Sequence, residues 1–323
     1  MKTVFRFCVL LAALSLLPQS TQAGNVRLHR MHFDKPRSEK TQFESPAAEE
    51  PDDRVSYEIK PSEADASITR FDDPNLVLFN ADAGEGAQLV VFMPGTNGTP
   101  RNTRLLLSVV ANQGYRVIGL EYNDEPAVVQ VCPRDPNPKC SGDFRQKRIF
   151  GDDVTSVVDN SPQEAIVTRL VKLLQYLDAK HPDEHWSGYL KGGEPDWSRI
   201  VVSGLSQGAG MAAYIAKRKP VARVVLFSSP WDFSGRSREL APWIYGPSAT
   251  PPERWFAEYH KRENTADLLA QSYKALGIPE ANVRIFDADL PPNHQGDNPY
   301  HGSTIKLPVY VPDWQAMFGK APL

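Results

Sequence analysis

The sequence predicts an α/β fold in which a single doubly wound, mostly parallel sheet is flanked by helices. Short runs of Val, Ile and Leu recur along the chain without strict polar alternation, which is typical of strands covered on both faces. Stretches with apolar residues at helical spacing separate these runs. Strands and helices that alternate in this way build parallel sheets from strand–helix–strand units.

Six apolar runs are the expected strands. They are "NLVLFN", "QLVVFMPG", "YRVIGLEY", "RIVVSG", "ARVVLFSSP" and "NVRIFDAD". The alternating stretch "RVSYEIK" is compatible with an additional edge strand. Four helices are expected in "TRLLLSVVANQG", "SPQEAIVTRLVKLLQYLDAKHP", "GAGMAAYIAKRKP" and "ENTADLLAQSYKALGIP". Each ends at a Gly or a Pro, and the second starts with Ser161 before Pro162, a pair that favours a helix start.

The first residues form a separate segment. "MKTVFRFCVLLAALSLLPQSTQA" combines Lys2 and Arg6 with an apolar run and a small-residue ending at Ala23. This is the layout of a secretory signal peptide, and the apolar run is too short to span a bilayer comfortably. We therefore expect residues 1–23 to be cleaved. The mature protein is then exported, periplasmic or secreted, with no stable membrane insertion.

The next segment, residues 24–67, is polar and charged and is expected to be flexible. Residues 68–323 are expected to form the α/β domain. The net charge is -3, and lysines and arginines are scattered along the chain. This charge pattern argues against nucleic acid as a partner.

Two cysteines remain after the signal peptide, which contains Cys8, is removed. Cys132 and Cys140 lie in "VCPRDPNPKC". Two cysteines close together in a proline-rich loop of an exported protein predict a disulfide, with a free thiol pair as the alternative. No metal site is expected, because zinc normally takes three or four ligands and no His or further Cys lies nearby.

Two long insertions interrupt the alternation of strands and helices. One spans about residues 123–160, and the other is "WDFSGRSRELAPWIYGPSATPPERW". Both follow the carboxyl ends of expected strands, where open α/β sheets bind ligands. We expect short, lid-like insertions there. The tryptophans of the second insertion either form an aromatic wall or simply pack.

The stretch "GLSQG" places Gly204 and Gly208 two residues on either side of Ser206. A nucleophile elbow needs this spacing, because its serine adopts a strained conformation and flanking side chains would collide with the strand or helix. An apolar strand ends at the motif and a helix begins inside it. A phosphate-binding loop does not fit, since neither the G-x-G-x-x-G spacing nor a following Lys-Ser/Thr is present. An ordinary strand–turn–helix joint remains the alternative.

With this motif the chain from about Asn80 to its C-terminus resembles the α/β-hydrolase superfamily, in its exported, esterase-like branch. A second motif, "FMPGTNGTP", sits where that family has its oxyanion loop. The family usually has His-Gly there, whereas this chain has Pro94-Gly95. The resemblance implies an α/β-hydrolase fold, a nucleophilic Ser206 and an acyl-enzyme intermediate. It also implies that no cofactor is needed.

The same resemblance assigns the other roles. The backbone N–H groups of Thr96 and Gln207 would form the oxyanion hole. The family's chain order is Ser, acid, His, and the later histidines are His260, His294 and His301. His260 lies early for the base. His294 and His301 both follow the last expected strand, and His301 is favoured because small polar residues follow it.

For the acid, the family places a carboxylate after its penultimate strand, which matches Glu263 in "YHKRENTADLL". The alternatives are Asp232, Asp267 and, within the last strand, Asp287. Any of these carboxylates could instead be solvated or could favour a helix N-terminus.

The expected function is that of a serine hydrolase cleaving small-molecule or acyl esters through an acyl-enzyme. A thioesterase or an acyltransferase would use the same triad. A non-catalytic exported binding protein on a hydrolase scaffold is the alternative from another class, because a fold does not fix a function.

Overall fold

The central element is one eight-stranded sheet. A computed structural model of the chain describes residues 53–292 and 296–322. The strands are β1 Arg54–Ile59, β2 Asn75–Asn80, β3 Leu89–Met93, β4 Arg116–Gly119, β5 Ile200–Leu205, β6 Arg223–Phe227, β7 Trp255–His260 and β8 Val283–Phe286. Their order in the sheet is β1-β2-β4-β3-β5-β6-β7-β8. Strand β2 runs antiparallel to both of its neighbours, and every other neighbouring pair is parallel. The predicted fold class is confirmed.

The helices lie on both faces of this sheet. They are α1 Pro61–Ala64, α2 Arg104–Ala111, α3 Val128–Val131, α4 Cys140–Phe150, α5 Ile166–Lys180, α6 Gln207–Arg218, α7 Pro242–Tyr245, α8 Ala266–Ala275 and α9 Val311–Phe318. Two short ribbons, Leu190–Lys191 with Glu194–Pro195 and Phe233–Ser234 with Glu239–Leu240, complete the strands of the described residues, and short 3₁₀ helices lie between the other elements. None of the described helices combines the length and apolar composition that a bilayer crossing requires.

The buried strands explain why the apolar runs lack alternation. In β3, Leu89 and Val91 belong to the core cluster that includes residues of α4, α5, α6 and α8. Val90 and Phe92 belong to the opposite cluster, which includes residues of α2 and α9. Because both faces are covered, apolar side chains stabilise the strand at odd and even positions alike.

The sheet begins earlier than the expected domain boundary at residue 68. All six residues of β1 pair with β2, which places this strand at the edge of the sheet. Ile59 at its end is buried. The segment 24–67 therefore includes an ordered strand and α1, which corrects the boundary. The expected signal peptide and the rest of that segment lie outside the described residues.

One helix start also differs from its prediction. Ser161 and Pro162 begin a short 3₁₀ turn that ends at Glu164, and α5 begins only at Ile166. Between them Ala165 is extended, with φ -61° and ψ 142°. The Glu164 carboxylate accepts a hydrogen bond from the Ser161 N–H at 3.2 Å. The Ser161-Pro162 pair therefore starts a separate turn, which the Glu164 carboxylate closes, and not α5 itself.

The first insertion is folded into the core. The predicted disulfide between Cys132 and Cys140 is confirmed, with Cα atoms 5.5 Å apart. The second cysteine begins α4, whose Phe144 and Arg145 are almost fully buried. This insertion contributes to the body of the domain rather than forming a loose lid.

The second insertion is also packed, at least through Trp243. The ring of Trp243 lies 5.3 Å from that of Tyr214, and its Nε1–H donates to Asp232 at 2.8 Å. Trp255, at the end of the insertion, is buried as the first residue of β7. For these two tryptophans the structure shows packing.

Candidate active site

The candidate site lies where neighbouring parallel strands end. Strands β3, β5, β6, β7 and β8 follow one another across the sheet. Because parallel strands share a direction, their carboxyl ends meet at one edge. Ser206 directly follows β5, Ser228 directly follows β6, and Glu263 lies three residues beyond β7. Sheet order therefore assembles residues that are distant in the sequence.

Ser206 occupies a strained turn between β5 and α6. Its backbone has φ 54° and ψ -118°, a left-handed conformation that costs a residue with a side chain about 1–3 kcal/mol. Its N–H donates to the carbonyl oxygen of Phe227 at 2.9 Å. This hydrogen bond anchors the turn to the carboxyl end of β6.

The flanking glycines are required by close packing. A Cβ atom on Gly204 would lie 2.5 Å from the carbonyl carbon of Gly208. A Cβ atom on Gly208 would lie 1.9 Å from the carbonyl oxygen of Met93. Strand, turn and helix thus approach too closely for any side chain, which is the geometry of a nucleophile elbow.

The loop after β3 approaches this serine. A Cβ atom on Gly95 would lie only 3.1 Å from the Cβ atom of Ser206. The Gly98 N–H donates to the Gly95 carbonyl at 2.8 Å and closes the turn. The hydroxyl of Tyr122 donates to the Pro94 carbonyl at 2.9 Å. These bonds hold the loop against the turn at Ser206.

The two amides of the expected oxyanion hole are free to donate. Within the part of the chain that the structure describes, neither Thr96 nor Gln207 donates its backbone N–H to a protein acceptor. Gln207 is the first residue of α6, and the first amides of a helix lack intrahelical partners. Its side-chain Oε1 accepts from the Val128 N–H at 3.3 Å, which turns the side chain towards α3.

Glu263 and His301 form a hydrogen-bonded pair. The Nδ1 atom of His301 lies 2.7 Å from Oε2 of Glu263. The Glu263 side chain is fully buried, whereas that of His301 is 23% exposed. The other oxygen, Oε1, accepts from the Ser228 hydroxyl at 2.7 Å and from the His260 N–H at 2.8 Å. Since Nδ1 carries the proton that faces Glu263, Nε2 is the ring nitrogen left for other chemistry.

Two loops are tied together to make this pair. The Asn264 N–H donates to Oδ1 of Asn298 at 3.2 Å, and its side-chain Nδ2 donates to the Asp297 carbonyl at 2.9 Å. These bonds join the loop after β7, which carries Glu263, to the loop that carries His301.

His260 supports the same loop, and both of its ring nitrogens already have partners. It is fully buried, its Nε2 lies 3.0 Å from the Ala288 carbonyl, and its Nδ1 accepts from the Arg262 N–H at 3.1 Å. Its ring stacks on Tyr300 at 4.3 Å. Burial lowers the pKa of His260, so the neutral ring is favoured. His294, the other candidate base, lies outside the described residues.

Asp232, an alternative acid, is occupied elsewhere. Its carboxylate accepts from Nε of Arg145 at 2.8 Å and from Nη2 at 2.5 Å. Both side chains are buried. The Nε1–H of Trp243 donates to the same carboxylate. The pair stabilises the junction between the two insertions.

The remaining alternative carboxylates are exposed. Asp267 lies in the first turn of α8 and faces solvent. Asp287 forms an ion pair with Lys261 at 3.1 Å. Among these candidates, Glu263 is the one that the structure brings to His301.

Sequence reasoning missed two buried residues behind Glu263. Ser228 is buried, has φ 52° and donates its hydroxyl to Glu263. Glu258 is fully buried in β7, and burial raises its pKa well above the ordinary value. No local pattern marks either residue, because their position depends on the pairing of β6 with β7. In residues 53–292 and 296–322, no cluster of three or more His, Cys, Asp or Glu side chains is arranged to hold a metal.

Comparison with known proteins gives only distant likenesses. No family model matches the chain, and no curated protein matches it. An esterase B from Lactobacillus rhamnosis, solved with a tributyrin phosphonate, is 13% identical, with 83% of this chain and 87% of that chain covered and a TM-score of 0.47. A bacterial heroin esterase is 15% identical, with 83% and 84% covered and a TM-score of 0.43. A hormone-sensitive lipase from a metagenome library is 14% identical, with 76% and 80% covered and a TM-score of 0.40.

At such identities and TM-scores, the names of these proteins say nothing about what this chain acts on. The sheet order and the turn at Ser206 are features of the chain itself. They give it the architecture of an α/β-hydrolase.

Proposed function

We propose that the protein is a serine hydrolase that cleaves carboxylic esters through an acyl-enzyme on Ser206. The observation that carries this proposal is the 2.7 Å hydrogen bond between Glu263 and His301 at the edge where Ser206 is presented. A buried carboxylate that accepts the Nδ1–H of a histidine fixes its tautomer and leaves Nε2 as a general base. Few structural roles require that arrangement at the same sheet edge as a strained serine.

The proposed reaction gives each of these groups a role. Nε2 of His301 accepts the hydroxyl proton of Ser206 while Oγ attacks the ester carbonyl carbon. The N–H groups of Thr96 and Gln207 donate to the oxyanion that forms. Glu263 stabilises the imidazolium. The imidazolium then returns its proton to the departing alcohol, and water repeats the sequence to release the acid.

The hydrogen bonds on Glu263 support this assignment. Three donors, from Ser228, His260 and His301, point at its two oxygens. Charge-assisted hydrogen bonds offset part of the cost of burying a carboxylate. They also fix the direction of the carboxylate, so the histidine meets it in one orientation.

A covalent probe tests the proposal directly. A fluorophosphonate should label the folded protein, and Ser206→Ala should abolish the label. Ser237→Ala is the matched control, because Ser237 is an exposed serine of the second insertion. It should keep the label. Absence of labelling in folded wild-type protein would sink the enzyme proposal and favour a binding role.

A second measurement is needed to identify which leaving group the protein releases. A thioesterase or an acyltransferase would use the same residues, so labelling does not separate them. Turnover of p-nitrophenyl esters, acyl thioesters and esters with added alcohol acceptors should be compared. The proposal predicts the highest kcat/KM for ester hydrolysis, and a clear preference for thioesters or for transfer would replace it.

We also propose that the protein is exported. The expected signal peptide and the disulfide between Cys132 and Cys140 support this, because structural disulfides persist in oxidising compartments. The mature N-terminus, read by mass spectrometry from the extracellular or periplasmic fraction, should be Gly24. An intact Met1 in the cytoplasmic fraction would contradict export.

A further inference from the structure

A second buried carboxyl group lies behind the Glu263–His301 pair. Glu258 is on β7 and is fully buried. Its main-chain carbonyl accepts from the Ser228 N–H at 3.1 Å and from the Tyr273 hydroxyl at 2.8 Å. The backbone of Glu258 is therefore fixed beside the residue that donates to Glu263.

The surroundings of this carboxyl group disfavour a negative charge. Across the described residues no donor is in hydrogen-bond geometry with either of its oxygens. The charged groups that act on it most are the carboxylates of Glu263 and Asp313, and the hydroxyls of Ser228 and Thr304 lie close by. The phenol groups of Tyr273 and Tyr310 are also close enough to interact with its charge.

An ionised carboxylate in such a place would be costly, since the charges that act on it most are themselves negative. Burial first, and the charge of Glu263 second, raise the pKa of Glu258 well above its ordinary value. Both effects favour the protonated form of Glu258. A neutral carboxylic acid, unlike a carboxylate, has an O–H to donate.

Ser228 can accept that hydrogen. Its own hydroxyl hydrogen is donated to Oε1 of Glu263 at 2.7 Å, which leaves the oxygen lone pairs available. An ionised Glu258 would instead compete with Glu263 for the Ser228 hydrogen and would add a second negative charge behind His301.

We propose that Glu258 is a positioning residue, a neutral carboxylic acid that donates to Ser228 and so commits the Ser228 hydroxyl to Glu263. In this series of hydrogen bonds, Glu258 donates to Ser228 and Ser228 donates to Glu263. His301 donates to Glu263 from the other side. Glu258 contacts neither substrate nor Ser206 in this role. The role in catalysis rests on the proposed function, whereas the protonation state of Glu258 does not.

Infrared spectroscopy tests the protonation state without any activity. The difference spectrum between wild-type protein and Glu258→Gln at neutral pH should contain the carbonyl stretch of a protonated carboxylic acid, shifted in heavy water. A carboxylate band in its place would overturn the proposal, whether or not the protein is a hydrolase.

Kinetics tests the positioning role. Glu258→Gln keeps a neutral donor, so kcat/KM should stay within about threefold of wild type and the acidic limb of its pH profile should not move. A shift of that limb to lower pH would show that a negative charge had been removed, and would overturn the proposal.

Glu258→Leu replaces the carboxyl group by an apolar side chain of similar size and so removes the donor. We expect kcat to fall about five- to tenfold with KM unchanged, as for the loss of one hydrogen bond. Ser228→Ala should cause a similar fall in kcat. The Glu258→Leu, Ser228→Ala double variant should show no further fall, because both changes break the same series of hydrogen bonds. Wild-type kcat in Glu258→Leu, or additive losses in the double variant, would contradict the role. If Glu258→Leu does not fold, the infrared band and the pH profile of Glu258→Gln still decide.

Discussion

Nδ1 of His301 lies 2.7 Å from Oε2 of Glu263, although 38 residues separate them in the chain. The contact exists because β7 and β8 are parallel neighbours, so the loops that follow them leave the same edge of the sheet. The buried carboxylate of Glu263 therefore accepts a hydrogen bond from the partly exposed ring of His301. A histidine that acts as a general base is oriented in this way.

Replacing Glu263 by Gln should lower kcat for ester hydrolysis about 10²- to 10⁴-fold. The amide can present its N–H₂ group to Nδ1, which favours the tautomer that carries the proton on Nε2. Steady-state kinetics with p-nitrophenyl acetate measures the effect. Glu280→Gln, an exposed site next to α8, is the matched control and should leave kcat unchanged. A change of less than threefold in Glu263→Gln would remove Glu263 from the triad.

Replacing Gly208 by Ala should destabilise the fold by about 3 kcal/mol or more, because the new Cβ would lie 1.9 Å from the Met93 carbonyl oxygen. Urea unfolding followed by circular dichroism measures the free energy. Gly86→Ala is the control, since nothing lies within 4 Å of its new Cβ. Equal unfolding midpoints for the two variants would show that the turn can relax.

Replacing Asp232 by Ala should cost about 3–5 kcal/mol of unfolding free energy, because the buried Arg145 charge loses its partner. Asp289→Ala, which breaks an exposed pair with Arg262, should leave the unfolding free energy nearly unchanged.

The conservative Asp232→Asn variant separates stability from catalysis. Its folded fraction should still react with the fluorophosphonate, because Asp232 orients no group of the proposed triad. Loss of labelling in folded Asp232→Asn would return Asp232 to the list of candidate acids.

The turn at Ser206 could be predicted from sequence because its requirements are local. A strand, two glycines at fixed spacing and a following helix lie within about twenty residues, and sterics relate them directly. The apolar strands were predictable for the same reason, since burial on both faces leaves a composition signal.

The partners of Glu263 could not be predicted in this way. Ser228 reaches it only through the pairing of β6 with β7, and the serine itself lies in an unremarkable "FSSP". The first insertion was expected to be lid-like because it is long and follows the carboxyl end of an expected strand. Its Arg145 is buried only because Asp232, 87 residues away, neutralises it. Long-range contacts of this kind leave no local pattern.

Removing the disulfide should lower the unfolding free energy by about 2–3 kcal/mol, the chain-entropy value for a loop this short. The Cys132→Ser, Cys140→Ser double variant provides the comparison. Wild-type protein should lose a similar amount in reductant, whereas the double variant should not respond. A thiol count that finds two free thiols in denatured, unreduced mature protein would refute the bond.

Glu258→Gln should change how stability depends on pH. Folding raises the pKa of Glu258 well above its ordinary value of 4.5. Between these two values the unfolded chain has lost the proton and the folded chain has kept it, so unfolding releases a proton. The unfolding free energy contributed by this group therefore falls as pH rises above 4.5. Gln carries no such proton, so the variant should gain stability over wild type as pH rises.

Urea unfolding at several pH values measures this difference between the two proteins. It should grow as pH rises above the ordinary carboxyl pKa and should vanish below that pKa. Glu280→Gln, at an exposed site, should show no such trend. A difference that does not vary with pH would mean that Glu258 ionises alike in the folded and unfolded chain. A neutral Glu258 explains why a protein would keep a second carboxyl group behind Glu263. Held with its proton, it can hold Ser228 in place without adding charge behind His301.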